Sequence, residues 1–140
     1  MPATIVIDRP IADTLAASQV IAKMKLLIVD DHEGVRKLIR ELLAPAATEV
    51  CECATGEEAV RIGSGFLPDW VIMDLQMPNM DGFEATRRLL AGHPRARVIV
   101  VSQLKHPGIE DRARHAGACH FLRKENLFDL PALLGKSLNG

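Results

Sequence analysis

The sequence predicts an α/β domain: a doubly wound, five-stranded parallel sheet with helices on both faces. Three observations on residues 25–138 carry that expectation. Short continuous apolar runs alternate with longer stretches whose apolar residues recur at helical spacing. The runs lack the polar–apolar alternation of a half-exposed strand, so both of their faces are buried, as in a parallel sheet. Polar residues able to do chemistry collect where the runs end.

The elements follow in order. Leu26, Leu27, Ile28 and Val29 read as a buried strand ending at Asp30. Val35, Leu38, Ile39, Leu42 and Leu43 recur at helical spacing, and Pro45 stops that helix. Residues 48–53 form a second strand, followed by a short helix over about 57–62 that Gly63 and Gly65 close. Trp70, Val71, Ile72 and Met73 make the third strand, which ends at Asp74. A turn rich in Pro, Asn and Gly leads to a helix over 83–90. Residues 97–101 form the fourth strand, ending at Ser102, and 108–116 form a weakly apolar helix. His120, Phe121 and Leu122 make a short fifth strand before Lys124, and Leu127, Leu130, Leu133 and Leu134 line the last helix.

Five such βα units match a flavodoxin-like (βα)5 topology with strand order 2-1-3-4-5. In folds of that kind, ligands sit at the carboxyl ends of the strands, beside the switch point between the first and third. Residues 1–24 read as an amino-terminal extension, poorly ordered or loosely packed, with a short helix over 12–22; the domain proper spans 25–138.

The 140 residues suffice for one domain. A formal net charge of −1 gives no global field toward nucleic acid or an anionic membrane. No apolar run approaches the length of a membrane span, and the amino terminus lacks the basic leader of a signal peptide. Cys51, Cys53 and Cys119 show neither an even disulfide framework nor zinc-site spacing, and they fit a reduced, cytoplasmic protein. The histidines show no metal-ligand spacing, and His32 reads foremost as a solvated helix-start residue beside the acidic pair.

The chemistry lies at the strand ends. Asp30, Asp31 and Asp74 converge beside the switch point, where like charges repel unless a cation neutralises them. An oxygen-only set favours a hard divalent ion, and Mg²⁺ is the natural one. Helix capping explains one of these aspartates but not three. A carboxylate beside Mg²⁺ is a nucleophile toward phosphoryl groups, and that transfer needs mainly positioning and charge neutralisation. Lys124 offers a point charge and Ser102 a hydroxyl donor at the neighbouring strand ends.

The stretches 26–31 (LLIVDD), 68–82 (PDWVIMDLQMPNMDG), 98–102 (VIVVS) and 116–124 (AGACHFLRK) resemble the receiver domains of two-component response regulators. The resemblance implies that Asp74 accepts a phosphoryl group from a sensor histidine kinase or a phosphotransfer protein. It implies a Mg²⁺ held by Asp31, by Asp30 partly through water, by Asp74 and by the backbone carbonyl of Gln76. Ser102 and Lys124 would grip the phosphoryl oxygens, and Phe121 matches the aromatic whose rotation follows Ser102. Two positions depart from the pattern. Glu125 follows Lys124 where many receivers have a proline on a cis peptide, and Gln103 is bulky where a small residue is usual.

On this reading the chain is a switching module that catalyses only its own phosphorylation and dephosphorylation. It would act on a downstream output protein or domain, with a homodimer as a further option and no direct contact with nucleic acid. It would be a stand-alone receiver or the amino-terminal fragment of a DNA-binding regulator. The alternative is a Mg²⁺-dependent phosphohydrolase with an aspartyl-phosphate intermediate. Enzymes resembling the haloacid dehalogenases need a second aspartate two residues after the nucleophile, and position 76 is Gln.

Overall fold

The computed structural model describes residues 3–6, 24–47 and 49–139. The predicted helix over 12–22 lies outside them. Among the described residues, six strands form one sheet, flanked by five α-helices. In chain order these are β1 (Thr4–Val6), β2 (Lys25–Val29), α1 (Glu33–Leu43), β3 (Glu49–Cys53), α2 (Gly56–Phe66), β4 (Trp70–Asp74) and α3 (Gly82–Gly92). They continue with β5 (Arg97–Ser102), α4 (Ile109–His115), β6 (His120–Arg123), a 3-10 helix (Lys124–Asp129) and α5 (Leu130–Asn139).

The sheet order is β1-β3-β2-β4-β5-β6. From β3 to β6 every pairing is parallel, which is the expected 2-1-3-4-5 order of the five domain strands. β1 is an addition: it pairs antiparallel with β3, Ile5 opposite Cys51.

Alternate strand residues face opposite sides of the sheet and build two apolar layers. Leu27, Val29, Val71, Met73, Val98 and Val100 pack with Ala59, Phe83, Ala85, Leu89 and Ala113 of α2, α3 and α4. Leu26, Ile28, Trp70, Ile72, Ile99 and Val101 pack with Ile39 and Leu43 of α1 and with Leu130 and Leu134 of α5. β4 is buried along its whole length, so the carboxyl group of its last residue has nowhere to go but the end of the sheet.

Two helix boundaries differ from the expected ones: Leu127, read as part of the last helix, lies in the 3-10 helix before α5, and α2 is longer at both ends. Thr55 caps α2 by accepting the Glu58 N–H at 3.1 Å, and the Glu58 carboxylate reaches back to the Thr55 hydroxyl, a reciprocal cap that starts the helix at Gly56. The helix then runs through Gly63 and Gly65 to Phe66. Gly63 is a contact residue, not a stop: a Cβ there would meet Leu89 of α3 at 3.0 Å. The chain leaves the helix at Leu67, in the left-handed region, just before Pro68.

Candidate functional site

β2 and β4 are neighbours, and both end in aspartate. Asp30 and Asp74 are each 2% exposed, and Ser102 at the end of β5 is fully buried. Lys124, the first residue after β6, reaches across the sheet end, its Nζ 3.1 Å from Asp30 Oδ2 and 3.2 Å from Asp74 Oδ1. Four of the predicted residues thus come from four strand ends, and Lys124 bridges the two buried aspartates.

The rest of the acidic pair lies just outside. Asp30 Oδ1 accepts the His32 N–H at 2.8 Å, a local turn that starts α1. The His32 ring Nδ1 stands 3.2 Å from Asp30 and 3.1 Å from the more exposed Asp31. Asp30, Asp31 and His32 therefore form one group with metal-binding potential, and Asp74 faces it from the other side of Lys124. The backbone of Asp30 is held from two directions. Its N–H donates to Cys53 O of β3, and its carbonyl accepts from Arg36 at 2.7 Å. Arg36 is itself anchored on Glu52 of β3, which also pairs with Arg40. His32 thus meets the acidic pair it adjoins in the sequence, whereas Arg36, whose side chain holds the Asp30 carbonyl, did not stand out there.

The turn after β4 folds back onto the site. Gln76 directs its N–H toward Asp74 Oδ1 at 3.5 Å, Leu75 donates to Val101 O, and Gly82 donates to Leu75 O. Asn79 takes a left-handed conformation (φ 69°), and Asp81 caps α3 by accepting the Glu84 N–H at 2.9 Å. Gly82 is required by close approach, because a Cβ there would fall 2.3 Å from the Asp74 carbonyl oxygen. The Met-Pro-Asn-Met-Asp-Gly run is thus a device for wrapping backbone tightly around Asp74.

Burial, and then the charge of Asp30, push the Asp74 carboxyl up to about 6, against the opposing pull of Lys124. Burial also draws Lys124 downward, but its pairs with Asp30 and Asp74 win and raise it. Asp74 Oδ2 is buried and has no hydrogen-bond partner. A buried carboxylate oxygen without a partner is costly. Ser102 Oγ accepts the Leu104 N–H at 2.9 Å, leaving its own hydrogen free to donate. Phe121 is half-buried against the layer under α2, α3 and α4.

Glu125 sits among cations, 3.8 Å from Lys105 and 3.9 Å from Arg123, and no peptide bond among the described residues is cis. Arg87 and Arg88 both pair with Glu84. The three cysteines are free. No helix among the described residues is long and apolar enough to cross a membrane.

The chain is similar to known proteins. The sequence model for the response regulator receiver domain matches residues 26–134. The chain belongs to that family. It is 36% identical over 103 residues to the response regulator GacA of Pseudomonas syringae, covering 72% of this chain and 48% of GacA. It is 38% identical over 102 residues to the chemotaxis protein CheY of Listeria monocytogenes, covering 72% of this chain and 86% of CheY. The receiver domain of the Arabidopsis thaliana histidine kinase CKI1, solved with Mg²⁺, superposes with a TM-score of 0.70 at 31% identity, over 81% of this chain and 90% of that one. The chain spans about half the length of the first curated relatives it matches, 48% in the case of GacA. It is thus a response regulator receiver domain.

Proposed function

We propose that residues 25–138 act as a phosphorylation switch whose phosphoacceptor is Asp74, with residues 1–24 an extension that adds a strand to the sheet edge. The observation that carries this reading is the unpartnered, buried Asp74 Oδ2 beside a carboxylate group and a bridging lysine. The donor is a sensor histidine kinase or a phosphotransfer protein in the cytoplasm. The recipient of the signal is an output protein or domain, or a second copy of the chain, with no direct contact between this domain and nucleic acid.

The residues present fit Mg²⁺. Asp30 and Asp31 of the acidic group are hard oxygen donors, the unpartnered Asp74 oxygen is a third, and the Gln76 carbonyl would complete the set. When bound, Mg²⁺ neutralises charge on the attacking carboxylate and on the phosphoryl oxygens. The Asp74 carboxylate forms the new P–O bond as the donor's P–N bond breaks, the electron pair staying on the imidazole nitrogen. Lys124 exchanges part of its contact with Asp74 for a phosphoryl oxygen. Ser102 donates its free hydroxyl hydrogen to another, and its Oγ also holds the Leu104 N–H. That shared hydroxyl ties the site to the loop after β5, whose strand pairs with β6 and Phe121. Phosphorylation in this way shifts a pre-existing equilibrium between two arrangements.

Incubation with acetyl phosphate and Mg²⁺, followed by intact mass, tests the assignment. One phosphoryl group is expected on the wild-type chain and none on Asp74→Ala. An equal adduct on the variant would remove Asp74 from this role. The hydrolase alternative finds no support at position 76, where the exposed Gln76 offers no acid or base.

A further inference from the structure

In the sequence His32 looks like a solvated residue at a helix start, and the fold gives its ring a different place. His32 stands just before α1, where Ser, Thr, Asp and Asn are favoured because their side chains cap the helix. Its own side chain makes no capping bond. The ring turns back onto the acidic pair instead, with Nδ1 3.2 Å from Asp30 Oδ1 and 3.1 Å from Asp31 Oδ1. The backbone fixes this arrangement, since the His32 N–H donates to the same Asp30 oxygen at 2.8 Å. Nδ1 carries at most one hydrogen, so it cannot give each carboxylate a hydrogen bond of its own. One cation among the three atoms meets all of them at once. Ligand atoms about 2.1 Å from a shared ion stand about 3.0–3.4 Å apart in octahedral and tetrahedral sites. Both separations of Nδ1 fall in that range.

A second observation points to a cation in the same place. Asp74 Oδ2 is buried and unpartnered, and Lys124 bridges its carboxylate to that of Asp30. Three carboxylates thus gather around one ammonium, with negative charge in excess. We infer that His32 Nδ1 is a metal ligand, and that it makes the site one for a transition-series divalent ion that takes imidazole nitrogen as readily as carboxylate oxygen. The inference rests on Asp30 and Asp31 holding the metal, and it adds a nitrogen donor to their set. An all-oxygen set suits Mg²⁺, whereas one imidazole shifts the preference toward ions such as Zn²⁺. Mg²⁺ gains little from the ring, because it dehydrates reluctantly and keeps its waters. Both ions share the carboxylates, and the ring decides which of them the chain holds in a mixture.

Calorimetric titration of the full chain with Zn²⁺ and, separately, with Mg²⁺ measures the preference. His32→Asn places a favoured capping residue at that position. It is expected to weaken Zn²⁺ by about tenfold or more, the scale on which metal sites respond to a lost partner. Mg²⁺ binding changes by less than about twofold, since a hard ion draws little from imidazole, and its retention shows the variant's site intact. Asp31→Asn is expected to weaken both ions. Nitrogen-15 NMR of the ring reads the bond directly: one equivalent of Zn²⁺ moves the His32 Nδ1 resonance of the wild type, and Mg²⁺ leaves it in place. Zn²⁺ affinity equal in wild type and His32→Asn, or a His32 Nδ1 resonance that Zn²⁺ does not move, overturns the nitrogen ligand while leaving the acidic site. Equal weakening of both ions by His32→Asn also overturns it, making His32 a support for the carboxylates. If Asp31→Asn weakens neither ion, the acidic site itself fails and the ligand role of His32 with it.

Discussion

The two edges of the sheet are built from the same kinds of residue and hold charge in opposite ways. At the amino edge, Asp69 accepts the Lys25 N–H at 2.8 Å, and its own backbone bonds to Lys25 and Arg97. Lys25 reaches Glu49 at 3.8 Å with both side chains about two-fifths exposed, and Arg97 lies over the Trp70 ring. Every charge there is met in contact with solvent, where an ion pair is screened and contributes little. At the carboxyl edge two aspartates are almost fully buried, share one lysine, and leave an oxygen unmet. The amino edge joins strands; the carboxyl edge holds an electrostatic cost that a proton on Asp74 relieves.

Removing the lysine from each edge breaks the comparison most sharply. Lys124→Met leaves two buried carboxylates facing each other without a counter-charge. Its expected cost at pH 7 is about 3–5 kcal/mol, the range for breaking a buried pair from one side. Lys25→Met removes a half-exposed pair and should cost below about 1 kcal/mol. Urea unfolding in EDTA measures both, and equal losses at the two edges would mean that burial does not distinguish them.

The next effect is a pH dependence confined to the carboxyl edge. With Asp74 raised to about 6, the folded chain holds that proton more tightly than the unfolded chain does. Unfolding therefore releases a proton between about pH 4 and 6, and stability falls as pH rises through that window. The contribution is fully present below the ordinary carboxylate value and lost above the raised one. A shift of about two units corresponds to about 3 kcal/mol. Asp74→Asn abolishes this slope. Urea midpoints from pH 4 to 7 in EDTA should converge on the wild type's at low pH and exceed them at neutral pH; parallel curves would show that Asp74 is not strained by its surroundings.

These contrasts also show what could be read in advance. Asp30, Asp74, Ser102 and Lys124 were legible because each ends or follows an apolar run, and topology alone brings such ends together. β1 was not, because Thr4–Val6 is fixed by the open edge of β3 and by no periodicity of its own. The continuation of α2 through Gly63 was hidden because its reason, contact with Leu89, lies on another helix. Arg36 meets the Asp30 carbonyl through side-chain reach that spacing does not encode, and the pairs of Glu125 with Lys105 and Arg123 depend on the register of β5 against β6. What the sequence carries is the local pattern; what it withholds is the pairing of residues far apart along the chain.

Two glycines give the smallest and most local version of the comparison. Gly82 touches the backbone at the carboxyl edge, where an added Cβ would fall 2.3 Å from the Asp74 carbonyl oxygen and 2.8 Å from Leu75 Cα. Neither is the end of a flexible side chain, so the turn itself must move. Gly82→Ala is expected to cost about 1–3 kcal/mol, as overpacking does, and to slow phosphoryl gain because Asp74 moves with the turn. Gly65 is exposed in α2, one turn from the amino edge, and a Cβ there meets nothing within 4 Å. Gly65→Ala should stabilise by about 0.5–1 kcal/mol through helix propensity alone and leave phosphorylation unchanged. The opposite signs follow from one cause: the carboxyl edge spends its backbone on holding a charged group in place, and the amino edge does not. Thermal unfolding of both variants reads the signs directly, and a stabilising Gly82→Ala would show that the turn does not press against Asp74.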